Sequence, residues 1–295
     1  MARLLDPDLD SSDQDYKYAC DNAAERQFVE ELWEHYRPFA DKDFPQKIRL
    51  NFHNHFWEMF LACALQYLGY DLERKTKSAG PDIQIKWGGS SIWVEATAPS
   101  SGEGPDGIAP LTDDQEGFRV PEEQIILRYA GAIREKHEKY LYYREKSIIA
   151  DTEPYVIAIN RGKIRCVYGC YGEALYVAQA VLPIGPLTLW VKNWERPEES
   201  LSGYSYRPQI QKRSGSGVPT DSFLRGEFEG ISGVLSSRVS IGTHPAEAGM
   251  NQDFVFVHNP LARNKIPEGW LRGMGREYHV DIMASEFTLR PIGKG

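Results

Sequence analysis

Cysteine is scarce in this chain, with Cys20, Cys63, Cys166 and Cys170 the four in 295 residues, and that scarcity excludes a fold held together mainly by disulfides. No apolar run reaches the ~18 residues that a membrane span needs. The opening Met1-Ala2-Arg3-Leu4-Leu5-Asp6-Pro7-Asp8 has no apolar stretch of the secretory-signal kind. A cytoplasmic protein with free thiols and no membrane partner is therefore expected. A glycine-rich phosphate loop is missing too, which argues against nucleotide hydrolysis. Basic charge is in deficit, 34 Lys and Arg against 42 Asp and Glu for a net of -8. That deficit is local, since residues 1–45 hold 12 acidic and 5 basic side chains and so carry -7 of it. A basic surface able to neutralise phosphates is excluded only for the N-terminal segment.

What is present is a globular composition, 41% apolar and 26% charged, enough for a large core. Residues 1–45 read as an acidic helical N-terminal segment: a frayed stretch to about residue 21, then a helix over 22–39 with Phe28, Val29, Leu32, Trp33 and Tyr36 at helical spacing. Residues 46–195 read as an α/β core. Its helix over 55–68 is followed by two alternating strands, 82–87 and 91–97, across Gly88-Gly89, a hairpin turn. After a Pro/Gly/Ser-rich loop, Pro121-Glu122-Glu123 starts a second long helix with Ile126, Tyr129, Ala130, Ile133, His137, Tyr140 and Leu141 inward. Strands over 154–159 and 187–191 complete this core, and residues 196–295 form a β-rich region without helical period.

The hairpin carries the chemistry. A two-residue turn at Gly88-Gly89 puts Asp82 opposite Glu95, while Ile83, Ile85, Ile92 and Val94 share the other face. Two carboxylates with Cβ atoms about 5 Å apart repel, so something must offset them, and a divalent cation is the economical candidate. Carboxylate oxygens favour Mg2+ or Mn2+ over zinc, and Cys166-x-x-x-Cys170 has no second ligand pair at zinc spacing. His53-Asn54-His55 reads as a helix entry capped by Asn54.

Gly80-Pro81-Asp82, twelve residues, then Glu95-Ala96-Thr97 resembles the PD-(D/E)XK core of restriction endonucleases and many repair nucleases. The resemblance spans roughly residues 50–160 and implies a restriction-endonuclease-like fold, with a helix, a mixed central sheet and a further helix. By the same resemblance Glu58, on the preceding helix, joins Asp82 and Glu95 as a metal ligand. Thr97 stands where the family has its motif lysine, the residue that orients the attacking water. Some family members carry that lysine on the following helix, which nominates Lys136 first and Lys139 second. The implied activity is Mg2+- or Mn2+-dependent endonucleolytic hydrolysis of nucleic acid, DNA ahead of RNA, in bacterial restriction or defence. The alternative is a catalytically inactive relative that binds nucleic acid or a protein. A carboxylate-pair glycosidase is disfavoured, because Trp93 is the one aromatic near enough to line a sugar cleft. Residues 204–213 interleave tyrosines with Arg207, Gln209, Gln211, Lys212 and Arg213, a composition suited to phosphate and base-edge contacts. If the nuclease reading holds, target recognition or homodimerisation is the expected role of the C-terminal region, residues 196–295.

Overall fold

One aspartate organises the N-terminal helices. In the computed structural model, which describes residues 3–74, 79–109, 120–164, 173–190, 201–245, 249–282 and 287–293, Asp13 caps two helices at once. Its Oδ1 accepts the N–H of Asp15 and Tyr16 at the start of α1 (Gln14–Asp21), and its Oδ2 accepts the Phe52 N–H at 3.0 Å, opening α4 (Phe52–Tyr67). Asn22 closes α1 and caps α2 (Ala23–Tyr36), and α3 (Phe44–Leu50) links α2 to α4. The expected frayed start is corrected. Leu4 and Leu5 are buried, and their N–H groups donate to the Glu30 carboxylate, so acidic residues that swell the charge count act locally as caps and anchors. The helix entry is corrected as well: α4 begins at Phe52, and Asn54 lies inside it.

The hairpin falls where the turn places it. β1 (Ile83–Trp87) and β2 (Ser90–Thr97) pair antiparallel with Ile83 opposite Val94 and Ile85 opposite Ile92. Gly88 and Gly89 supply the positive φ angles, 53° and 85°, of a tight two-residue turn. β2 runs parallel to β3 (Tyr155–Asn160), which runs parallel to β8 (Gly233–Ser237). Beyond these lie β9 (Val255–His258), β10 (Arg276–Ile282) and β11 (Phe287–Ile292), giving a mixed seven-stranded sheet in the order β1-β2-β3-β8-β9-β10-β11. The C-terminal third is β-rich as expected, but four of its strands complete the sheet that the hairpin starts.

Strand alternation divides the interior into two layers. On one face Ile92, Val94, Val156 and Ala158 pack with Phe56, Trp57 and Phe60 of α4 and with Trp33 and Tyr36 of α2. The Trp57 indole donates to the Ala158 carbonyl at 3.1 Å, fixing α4 across the sheet centre. On the other face Tyr155, Ile157 and Ile159 meet α5 (Glu122–Glu145) and α6 (Glu173–Val181). Leu141, expected inward on α5, is 51% exposed, and Lys136 and Tyr143 are buried in its place. β4 (Ile184–Trp190) pairs with β5 (Leu201–Tyr206), and β6 (Gln209–Gln211) with β7 (Gly217–Pro219), as two small separate sheets. Among the described residues no helix is long and apolar enough to cross a membrane. Cys20 and Cys63 are buried free thiols, while Cys166 and Cys170 lie outside the described residues.

Candidate active site

Period-two alternation turns Glu95 and Thr97 to the α5 side of β2, away from Val94. Glu95 is 0% exposed. Asp82 stands one residue before β1, and its Oδ2 accepts the Ala96 N–H at 2.7 Å, which ties it to the strand carrying Glu95. From the next layer, Tyr143 of α5 donates its hydroxyl to the Gly80 carbonyl at 3.1 Å, bracing the turn that presents Asp82. Burial, followed by the charge of Glu95, pushes the Tyr143 hydroxyl up to about 12.

Two ammonium groups converge on Glu95. Lys139 Nζ lies 2.5 Å and Lys136 Nζ 3.4 Å from Oε1, so both nominated lysines reach the carboxylate that the motif lysine would accompany. Lys136 is the more deeply placed, with 10% of its side chain exposed, and it also lies 3.4 Å from Glu135. Burial works against the charge on Lys139, yet the attraction of Glu95, its hydrogen bond and the field of Asp82 outweigh that and raise its pKa. The like-charge repulsion read from the hairpin is thus offset, at least in part, by lysines three residues apart on one helix face. The other Glu95 oxygen, Oε2, is buried with no hydrogen-bond partner.

These groups share a cleft of about 530 Å3 at the C-terminal end of β2, the end at which sites collect in sheets with parallel strands. α5 contributes Arg128, Gly131, Ala132, Glu135, Lys136 and Lys139, and α4 contributes Asn54, His55 and Glu58 with Asn51 at its N-cap, each set following the three- and four-residue spacing of a single helix face. Thr97 is half-buried in the same wall. Glu58 lines the cleft as expected, but its oxygens are engaged. Tyr36 donates to Oε1 at 2.5 Å, and His55 Nδ1 is 3.2 Å from Oε2. Burial and the neighbouring Glu58 charge raise the Tyr36 pKa, so its proton stays to make that bond. Asn54 accepts the Ala98 N–H at 2.9 Å and anchors the strand's exit.

Among the described residues no three His, Cys, Asp or Glu side chains gather closely enough to form a ready metal cluster. Asp82 and Glu95 nonetheless offer the hard oxygen donors that Mg2+ or Mn2+ takes, and Glu95 Oε2 is an unsatisfied acceptor of the kind such an ion would fill. Glu58, the third expected ligand, lines the same cleft and meets Tyr36 and His55.

The segment expected to touch nucleic acid stands apart from the cleft lining. Arg207 donates to the Ile184 carbonyl at 3.2 Å and approaches Glu123, a packed placement. Gln209, Gln211 and Arg213 are exposed and Lys212 is half-buried, on and beside β6, with Tyr206 74% exposed just upstream. Sequence reasoning missed Tyr36, Asn54, His55 and Arg128. The polar stripe Asn54, His55, Glu58 of α4, with Asn51 at its N-cap, is a usable signal for two of them, and the helical spacing from Lys136 back to Arg128 for a third. Tyr36 reaches the site only through the packing of α2 on α4 and leaves no such trace. Comparison of the chain with protein-family models, curated proteins and solved structures gave no match.

Proposed function

We propose that this chain is a metal-dependent endonuclease of the PD-(D/E)XK kind, acting on DNA ahead of RNA, with a cytoplasmic place in bacterial restriction or defence. One observation carries the reading. Where the motif lysine is replaced by Thr97, two lysines of the following helix come within 4 Å of Glu95. Asp82 and Glu95 would hold the cation, and Lys139 and Lys136 set positive charge beside the point where the scissile phosphate gains negative charge. When bound, Mg2+ or Mn2+ supplies an acidified water and neutralises phosphate charge. Thr97 contributes a neutral hydroxyl, and the half-exposed Lys139 ammonium is the better placed to approach an incoming phosphate.

The inactive alternative has its own support: Glu95 already receives two ammonium groups, and Glu58 is committed to Tyr36 and His55, an arrangement that needs no metal. Calorimetry with Mg2+ and Mn2+ separates the two, run on the wild type and on an Asp82→Asn, Glu95→Gln double variant. Cleavage of mixed DNA and RNA follows in parallel. The nuclease reading expects metal binding that disappears in the double variant, together with metal-dependent cleavage lost in Lys139→Ala. Nucleic-acid binding with no cleavage, unaltered by the double substitution, would establish the inactive reading.

A further inference from the structure

Arg128 is the cleft cation that the chemistry around Glu95 does not use. It lies two helical turns before Lys136 on the same face of α5, roughly 12 Å along the axis at ~1.5 Å per residue. Among the described residues no carboxylate lies within ion-pairing distance of its guanidinium, while Lys136 and Lys139 both lie against Glu95. Its Nη2 donates to the Asp106 carbonyl at 3.1 Å, and its Nε is buried without an acceptor. The guanidinium rests against Gly102, where a Cβ would stand 2.1 Å from Nη1, and the φ of +74° at Gly102 suits a residue without one. A guanidinium that lines a polar cleft, with one donor on a backbone oxygen, one buried without an acceptor and no carboxylate partner among the described residues, is suited to an anion.

We propose that Arg128 is a backbone-phosphate contact of the cleft, holding the substrate strand at the end of the cleft away from the Asp82/Glu95 pair. The inference rests on the nuclease reading and names the part of the substrate that the far end of the cleft grips. The loop after β2 sets the grip. Asp106 gives its carbonyl to Arg128 and its side chain to the Arg213 N–H at 2.9 Å, so this loop joins the cleft to the 212–216 turn.

The test is binding of a fluorescent DNA oligonucleotide, read by anisotropy without divalent metal over a series of NaCl concentrations. It uses wild type, Arg128→Lys, Arg128→Gln and Arg128→Ala. Loss of one phosphate contact should reduce the slope of log K against log salt by about 0.7–0.9, roughly a five- to eightfold weaker affinity at 0.1 M salt. Arg128→Ala and Arg128→Gln should show that reduction and Arg128→Lys should keep the wild-type slope. Arg128→Gln retains a donor for Asp106, so the result does not depend on the alanine variant folding. Wild-type binding with an unchanged slope in Arg128→Gln overturns the role of Arg128 alone. Absence of wild-type binding at every salt concentration, to this oligonucleotide and to an RNA of the same sequence run beside it, overturns it together with the nuclease reading.

Discussion

Two buried glutamates on the central sheet, Glu95 on β2 and Glu277 on β10, have opposite surroundings. Glu277 Oε1 lies 2.6 Å from His258 Nε2 and accepts the N–H of Gly269 at 2.9 Å and of Trp270 at 3.3 Å, while Oε2 accepts the Leu271 N–H at 3.2 Å. Burial opposes its charge, but the His258 hydrogen bond and the backbone donors prevail and hold its pKa below the ordinary carboxylate value. Every oxygen is used to fasten the 269–271 turn to the sheet. Glu95 is more deeply buried, yet its donors are two side chains on one oxygen, its second oxygen is unsatisfied, and it borders a cleft. A carboxylate whose acceptors are all filled from its own fold is a fastening, and one left incomplete beside a cleft is available for chemistry.

The largest expected effect lies at the fastening. Glu277→Ala leaves three backbone N–H groups and His258 without their acceptor, and breaking a buried pair of this kind costs about 3–5 kcal/mol. Urea unfolding measures it. His258→Ala, which spares the backbone donors, should cost less, about 1–3 kcal/mol. A Glu277→Ala cost no greater than that of Glu95→Gln would break the distinction between the two sites.

Acid sharpens the contrast next. Glu277 has a lowered folded pKa, so its contribution is complete above the ordinary 4.5 and is lost as pH falls through the folded value. A second buried group acts earlier. His53, whose Nε2 is 3.0 Å from the Asn160 side chain, is pushed down by burial from 6.5 to about 4. Its unfolded form takes up a proton before its folded form does. The stability it lends is therefore whole above pH 6.5 and drains away between 6.5 and about 4, on the order of 3 kcal/mol at most. Urea midpoints from pH 7 to pH 3 should fall in two stages, with His53→Gln flattening the first and Glu277→Gln the second.

The site was legible where its determinants are local. A two-glycine turn sets strand parity, so the pairing of Ile83 with Val94, and the approach of Asp82 to the strand of Glu95, follow from counting along the hairpin. Lys136 and Lys139 were nominated by the family resemblance, through a lysine carried on the following helix, and their three-residue spacing lets both reach Glu95. What depends on distant partners was not. Asp13 sets the start of α4 from 39 residues upstream, and Tyr36 reaches Glu58 from 22 residues away. The placement of β8 beside β3 joins segments about 80 residues apart, which no local pattern encodes. Glu277 passed unremarked for the same reason, since its partners come from the 269–271 turn and from β9.

The smallest effect on stability, and the most telling, is expected at Glu95 itself. Replacement by Gln removes a charge whose burial is only partly compensated, because Oε2 has no donor. Lys139, with 45% of its side chain exposed, can turn to water, and Lys136 keeps Glu135. The loss of attraction and the relief of burial then nearly cancel, and the unfolding free energy should move by no more than about 1 kcal/mol in either direction. Cleavage, on the proposed nuclease reading, should in contrast be abolished. Measured side by side, Glu95→Gln with unchanged stability and no activity, against Glu277→Ala with lowered stability, would separate the working carboxylate from the fastening one. A destabilisation of 3 kcal/mol or more at Glu95 would make it a second fastening, its lysines serving the fold and its open oxygen left over from packing.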